Sequence, residues 1–173
     1  MSIPELFQEV SGSGVSDFGQ VVRCCSAAGP FCLIGGLALN SYVEPVYTMD
    51  ADFVLAHGLA PKVITELQGK GFVTADHPHS LNALMPGSQL RIQFTLDPRY
   101  SEFPSRAHNR EMFGVIVPVA ALEDLLQGKM WAWSDPERRL SKREKDRLDL
   151  VRIGEKFPAL RSLLPAEIQH LFR

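Results

Sequence analysis

The chain has 173 residues, of which 45% are hydrophobic and 22% charged, and its formal net charge is −2. That length can bury one sizeable core, and the composition excludes intrinsic disorder. A charge this small gives no global attraction to nucleic acid, so contact with a polyanion would require a local patch.

The opening segment "MSIPELFQEV" is acidic and lacks the basic start and apolar run of a signal peptide. Its "IPELFQEV" reads as a short helix, with Pro4 tolerated in the first turn. After the turn "SGSGVSD", Ser16 or Asp17 is expected to cap a second helix, "FGQVVRCCSAA", ended by Gly29-Pro30. That helix carries Cys24 and Cys25. With Cys32 they form neither a disulfide framework nor a zinc pattern, and Cys24 and Cys25 read as small buried residues. "FCLIG" follows as a buried strand, "GLALNSYV" as two turns of helix closed by Pro45, and "DADFVLA" as the next strand. "APKVITELQGKG" has helical periodicity through Val63 and Leu67, with Gly71 as its stop. "FVTADHP" reads as an edge strand and the "HPHS" around His77 and His79 as an exposed loop. "LRIQFTL" alternates, with Leu90, Ile92, Phe94 and Leu96 on one face and Arg91, Gln93 and Thr95 on the other. "FGVIVPV" is a further strand, and from Ala120 onward the chain is helical. There, "ERRLSKREKDR" reads as a solvated helix laced with ion pairs, and Trp131 and Trp133 must face different ways. No apolar stretch approaches the ~20 residues needed to cross a bilayer. The expectation is a soluble, cytoplasmic, single-domain protein of α+β class: a mixed sheet flanked by helices, with a helical C-terminal part.

Asp50 and Asp52 would lie on one face of a strand, roughly 6.5 Å apart, beside Phe53, Val54 and Leu55. One aspartate at a strand entry can simply cap local N–H groups. Two on one apolar-flanked face repel each other, and a divalent cation removes the conflict. Mg²⁺ suits such a pair, because it is held by one or two carboxylates, water and phosphate oxygens. Gly35 and Gly36 stand where a strand becomes a helix, where free N–H groups and absent side chains favour close approach by a phosphate. A dinucleotide fingerprint is a poorer fit, since Gly-x-Gly-x-x-Gly is absent. A phosphate cradle beside a metal-binding carboxylate pair fits phosphoryl or nucleotidyl transfer.

"IGGLALNSYVEPVYTMDADF" resembles the nucleotidyltransferase superfamily with the polymerase-beta-like fold, especially its small stand-alone bacterial members of minimal or toxin type. Gly35, Gly36, Ala38, Pro45, Tyr47, Thr48, Asp50 and Asp52 carry the likeness, with Lys129, Lys145, Asp146 and Asp149 in the second half. The resemblance implies a core over about 30–118 and a helical part over 119–173. It implies transfer of a nucleoside monophosphate from a nucleoside triphosphate, with Mg²⁺ or Mn²⁺, to a small molecule, protein or tRNA acceptor. Asp50 and Asp52 would be catalytic metal ligands, and Gly35, Gly36, Thr48 and Lys129 would meet the nucleotide. Toxin-type membership would bring a cognate antitoxin-like partner. The chain departs from the pattern twice. Gln93 stands where a third carboxylate is expected, with Asp97 four residues farther along as its only replacement, and Val46 stands where arginine is common. A glutamine cannot act as a general base, which opens the alternative of a protein that binds nucleotide or a partner without transfer.

Overall fold

A computed structural model describes residues 12–173; the helix expected at "IPELFQEV" lies outside the described residues. Helix α1 spans Gly14–Ala28 and starts earlier than expected. Ser13, not Ser16 or Asp17, precedes it, and the Ser13 hydroxyl donates to the buried Asp17 carboxylate at 2.6 Å. The helix can therefore begin within the glycine-rich turn. Strand β1, Phe31–Ile34, is buried at every position. Helix α2, Gly35–Leu39, is only five residues long. It stops early because the Asn40 side chain brackets the following loop, donating to the Val46 carbonyl and accepting from the Val46 N–H.

Strand β2 is Asp50–Leu55 and helix α3 is Ala60–Gly69. Gly71, at φ 96°, turns the chain so that the Phe72 N–H bonds back to the Leu67 carbonyl. This is the stop the sequence announced. Strand β3, Val73–His77, pairs with β4, Ser80–Leu84, through the tight turn at Pro78-His79. "HPHS" is thus a hairpin tip, with His77 and His79 exposed as expected. Strand β5 is Arg91–Thr95 and ends before Leu96, which is 47% exposed and does not join Ile92 and Phe94 in the core. Strands β6, His108–Met112, and β7, Val115–Val119, form a second hairpin across Phe113 and Gly114, both at positive φ. β4 and β6 escaped the sequence reading because "SLNAL" and "HNREM" lack a strong apolar alternation.

The sheet order is β3-β4-β5-β2-β1-β7-β6. β2 is antiparallel to β1 and parallel to β5, so the sheet is mixed, as expected. Ala51 and Phe53 of β2 are fully buried, and Phe53 meets Phe18 of α1 with ring centroids 6.1 Å apart. Strand alternation therefore turns Asp50 and Asp52 to the opposite face. Toward that face lie helix α4, Leu122–Ser134, and helix α5, Leu140–Lys156. A short 3-10 segment, Pro158–Leu163, and helix α6, Ala166–Gln169, close the chain against α5.

Two apolar clusters result. The larger joins α1, α3 and the sheet; the smaller joins Leu39 and Val43 to Leu126 of α4, Leu150 and Ile153 of α5, and Ile168 of α6. The two tryptophans divide between them, Trp131 packing on the first and Trp133 on the second. The three cysteines are buried and free, and burial raises the Cys25 and Cys32 thiols well above their ordinary range. Among the described residues no helix is long and apolar enough to cross a membrane.

Candidate active site

The β2–β5 ladder builds the floor of the site. In its parallel register Asp50 stands beside Arg91, and Asp52 beside Gln93. Paired residues on neighbouring strands point to one face, so two carboxylates, a guanidinium and an amide share a small area. Before Asp50, the buried Thr48 accepts the Asp50 N–H on its hydroxyl at 3.2 Å. Thr48 therefore fixes the strand entry and does not line the cavity.

The two aspartates have different surroundings. Asp50 Oδ1 accepts from Arg91 Nε at 2.5 Å, and its Oδ2 lies 3.3 Å from Lys142 Nζ. Burial would raise the Asp50 carboxyl, but Arg91 and Lys142 outweigh it and hold the group below its usual range. Asp52 has no ion pair among the described residues. Burial, reinforced by the neighbouring Asp50 charge, pushes it up to about 6.

Gly35 makes room for this second carboxylate. It sits at φ 74°, and a Cβ there would collide with Asp52 Oδ2. Any L-residue would thus be strained in backbone and would displace the aspartate. A Cβ on Gly36 would meet nothing within 4 Å, so Gly36 is not required by packing.

A cavity of about 430 Å³ opens over these residues, bounded by Gly35, Asp50, Asp52 and Gln93 below and by α4 and the start of α5 above. Arg138 and Lys142 enter it from the charge-rich segment that was expected to be a solvated face. Lys142, Asp146, Asp149 and Ile153 recur at spacings of four, three and four, which is one stripe of α5 turned inward, and Arg138 enters from the turn just before that helix. That periodicity was present in the sequence, but the surrounding Arg139, Arg143, Glu144 and Arg147 obscured it.

Lys129 lies at the back of the cavity. Its ammonium is buried, 3.0 Å from Asp146 Oδ1 and 2.7 Å from Asp149 Oδ2. Burial works against its charge, but Asp149 and Asp146 prevail and raise its pKa. Asp146 also binds Arg138 at 2.7 Å, and Asp149 binds Arg152 at 2.7 Å. Arg152 continues to the Glu44 carbonyl and to Asn40 Oδ1. A continuous ionic chain thus runs from the cavity through α4 and α5 to the loop that delivers β2.

Asp97 borders the same cavity, but its carboxylate is engaged by Arg99, which donates from its N–H, Nε and Nη2. Arg99 holds the Asp97 carboxyl below its usual range. Gln93 remains the residue beside Asp52. Arg99 in turn lies 4.8 Å over the Trp131 ring, which packs edge-on to Tyr100, so the far wall is aromatic. Val46, the position where an arginine was looked for, is 40% exposed and outside the cavity lining. The basic groups there come instead from Arg99, Lys129, Arg138 and Lys142, with Arg91 beside Asp50 on the strand floor. Of these only Lys129 stood out in the sequence; Arg91 could have been found from its shared parity with Gln93.

Neither a family model nor a curated protein matches the chain. Solved structures do. The antibiotic-resistance factor ANT(2'')-Ia in solution is 17% identical, with 94% of this chain and 96% of that one covered and a TM-score of 0.57. The same factor in complex with adenylyl-2''-tobramycin is 15% identical, covering 92% and 98%, with a TM-score of 0.58. An antigenic nucleotidyltransferase-like protein from Paracoccidioides brasiliensis is 17% identical, covering 94% and 87%, with a TM-score of 0.54. The likeness extends over nearly the whole chain, and the fold is that of the nucleotidyltransferase superfamily.

Proposed function

We propose that this chain, having the nucleotidyltransferase fold, transfers a nucleoside monophosphate from a nucleoside triphosphate to a hydroxyl acceptor. The observation that carries the reading is the pair Asp50 and Asp52 on one strand face, beneath Arg138, Lys142 and Lys129 in one cavity. Cations facing two strand carboxylates across one cavity match a polyphosphate accompanied by a metal better than either ligand alone, with Asp146 holding Lys129 and Arg138 in position.

The donor set fits one divalent cation. Asp50 and Asp52 supply two carboxylates from alternate positions of one strand, and Asp52 forms no ion pair among the described residues, Lys129, Arg138 and Lys142 acting on it only from farther off. No cluster of three or more His, Cys, Asp or Glu side chains suited to a metal occurs among the described residues. Phosphate oxygens and water would therefore complete the shell of Mg²⁺ or Mn²⁺. When bound, the ion would neutralise charge on the phosphates and the two aspartates. Arg91 and Lys142 already occupy both Asp50 oxygens, so a metal competes with them until a triphosphate offers these cations a stronger partner.

In the reaction, the acceptor hydroxyl oxygen forms a bond to the α-phosphorus while the bond from that phosphorus to the α,β-bridging oxygen breaks. Pyrophosphate leaves, and the hydroxyl proton passes to solvent water, because Gln93 cannot accept it. Lys142 and Arg138 take up charge on the departing pyrophosphate. Lys129 fixes α4 against α5 and keeps the Asp146–Arg138 contact in place.

Incubation with α-labelled nucleoside triphosphate and Mg²⁺ should move label to an acceptor, and Gln93→Asp should speed transfer about 10²-fold by restoring a general base. The Gln93 amide supports a second reading, nucleotide binding without turnover. Calorimetric binding of triphosphate and Mg²⁺, with no label moved by either the wild type or Gln93→Asp, would decide for it.

A further inference from the structure

A second concavity of about 460 Å³ runs from Asp50 and Gln93 across the uncovered face of β5, β4 and β3. It shares Asp50, Gln93 and Lys142 with the first cavity, so two volumes meet at one carboxylate. Its size is that of a small-molecule site.

The alternation of three strands sets its chemistry. Val73 and Leu84 are direct cross-strand partners at the outer end, 64% and 40% exposed, and form an aliphatic platform. Asn82 and Gln93 are partners one step inward, so two side-chain amides lie between the platform and Asp50. Amides donate and accept without carrying charge, and so suit hydroxyl and ether oxygens. Asp50 is the groove's one carboxylate among the described residues, and both of its oxygens are held by Arg91 and Lys142. A polycation would therefore meet two like charges and find no free acid, a repulsion that selects against it.

We infer that this groove is the acceptor subsite and takes an uncharged, hydroxyl-bearing molecule with an aliphatic face, and not a polyamine antibiotic of the tobramycin type. The assignment rests on the transfer reading for its name, but the binding it requires does not. The alternation of apolar and amide side chains sets the fit: Val73 and Leu84 receive the apolar face, Asn82 and Gln93 the hydroxyls, and one hydroxyl lies beside Asp50 where the two volumes join.

Two-dimensional amide NMR of the full chain, titrated separately with hexyl β-glucoside and with tobramycin, tests this. The glucoside should shift the amides of Val73, Asn82 and Gln93, and tobramycin should leave them in place. Val73→Glu, an exposed change whose folding is checked by the unchanged remainder of the spectrum, should weaken the glucoside at least tenfold. Shifts from tobramycin instead, shifts from neither probe, or glucoside shifts insensitive to Val73→Glu would each overturn the assignment. A groove that binds the glucoside while no label ever moves from triphosphate would leave the subsite standing and remove the transfer reading.

Discussion

Two pairs of aspartates flank the same cavity, and their charges are balanced in opposite ways. Asp146 and Asp149, three apart on α5, share the buried Lys129 and each hold an arginine besides. Asp50 and Asp52, two apart on β2, are unequal: Asp50 forms two ion pairs and Asp52 none among the described residues. A fully matched buried network fixes elements in one arrangement. A pair with one unmatched, raised carboxylate lowers stability and keeps a binding capacity open. The helix pair therefore clasps the structure, whereas the strand pair leaves one carboxylate without an ion-pair partner among the described residues.

Removing a charge from each pair should separate these roles. The largest effect is expected for Asp50→Asn, which should lower label transfer by about 10²–10³-fold with little change in the unfolding midpoint. Retained transfer would mean that the strand pair is not the reactive centre. Lys129→Met should act in the reverse sense, costing about 3 kcal/mol in a denaturant melt because it leaves two buried aspartates short of a shared cation. An unchanged melt would deny it the role of clasp.

Asp52→Asn should stabilise the protein. The folded pKa of Asp52, about 6, lies above the ordinary carboxylate value of 3.8. The folded state therefore binds that proton more tightly, and stability falls as pH rises through the window from about 4 to about 6. The shift corresponds to about 3 kcal/mol, which partial exposure reduces to about 1–2 kcal/mol. Denaturant melts should show that gain at pH 7.5 and lose it near pH 4; an equal gain at both would assign it to packing. For the same reason, divalent-cation affinity should rise with pH through about 6. The smallest effect is expected at Arg91, an exposed partner of Asp50. Arg91→Ala should tighten Mn²⁺ binding without nucleotide by about fivefold, measured by electron paramagnetic resonance. Weaker binding would show that Arg91 does not compete with the metal.

Much of the candidate site was legible before any fold was known. Asp50 and Asp52 announced themselves because strand periodicity is strict: residues two apart share a face whatever the neighbours do. Gly35 was legible as a special backbone position, although its visible reason is room for Asp52 rather than a helix dipole, since α2 is too short to supply much of one. Lys129, Asp146 and Asp149 were found, but not their mutual pairing. Arg138 and Lys142 were read as solvent-facing because local charge density cannot reveal which stripe of a helix is turned inward. Asp97 offered a carboxylate of the right parity, and Arg99, two residues on, had already engaged it.

By itself the sequence determined the class of sheet and helix, the paired carboxylates, and the glutamine at position 93, because these follow from short-range periodicity and residue chemistry. Only the tertiary structure decided which aspartate is neutralised, which cations face the cavity, and that Lys129 is buried in a clasp. Those outcomes depend on contacts between residues as far apart as 50 and 142. No local pattern encodes such a pairing; it exists once the parallel β2–β5 ladder and the α4–α5 packing bring the charges together.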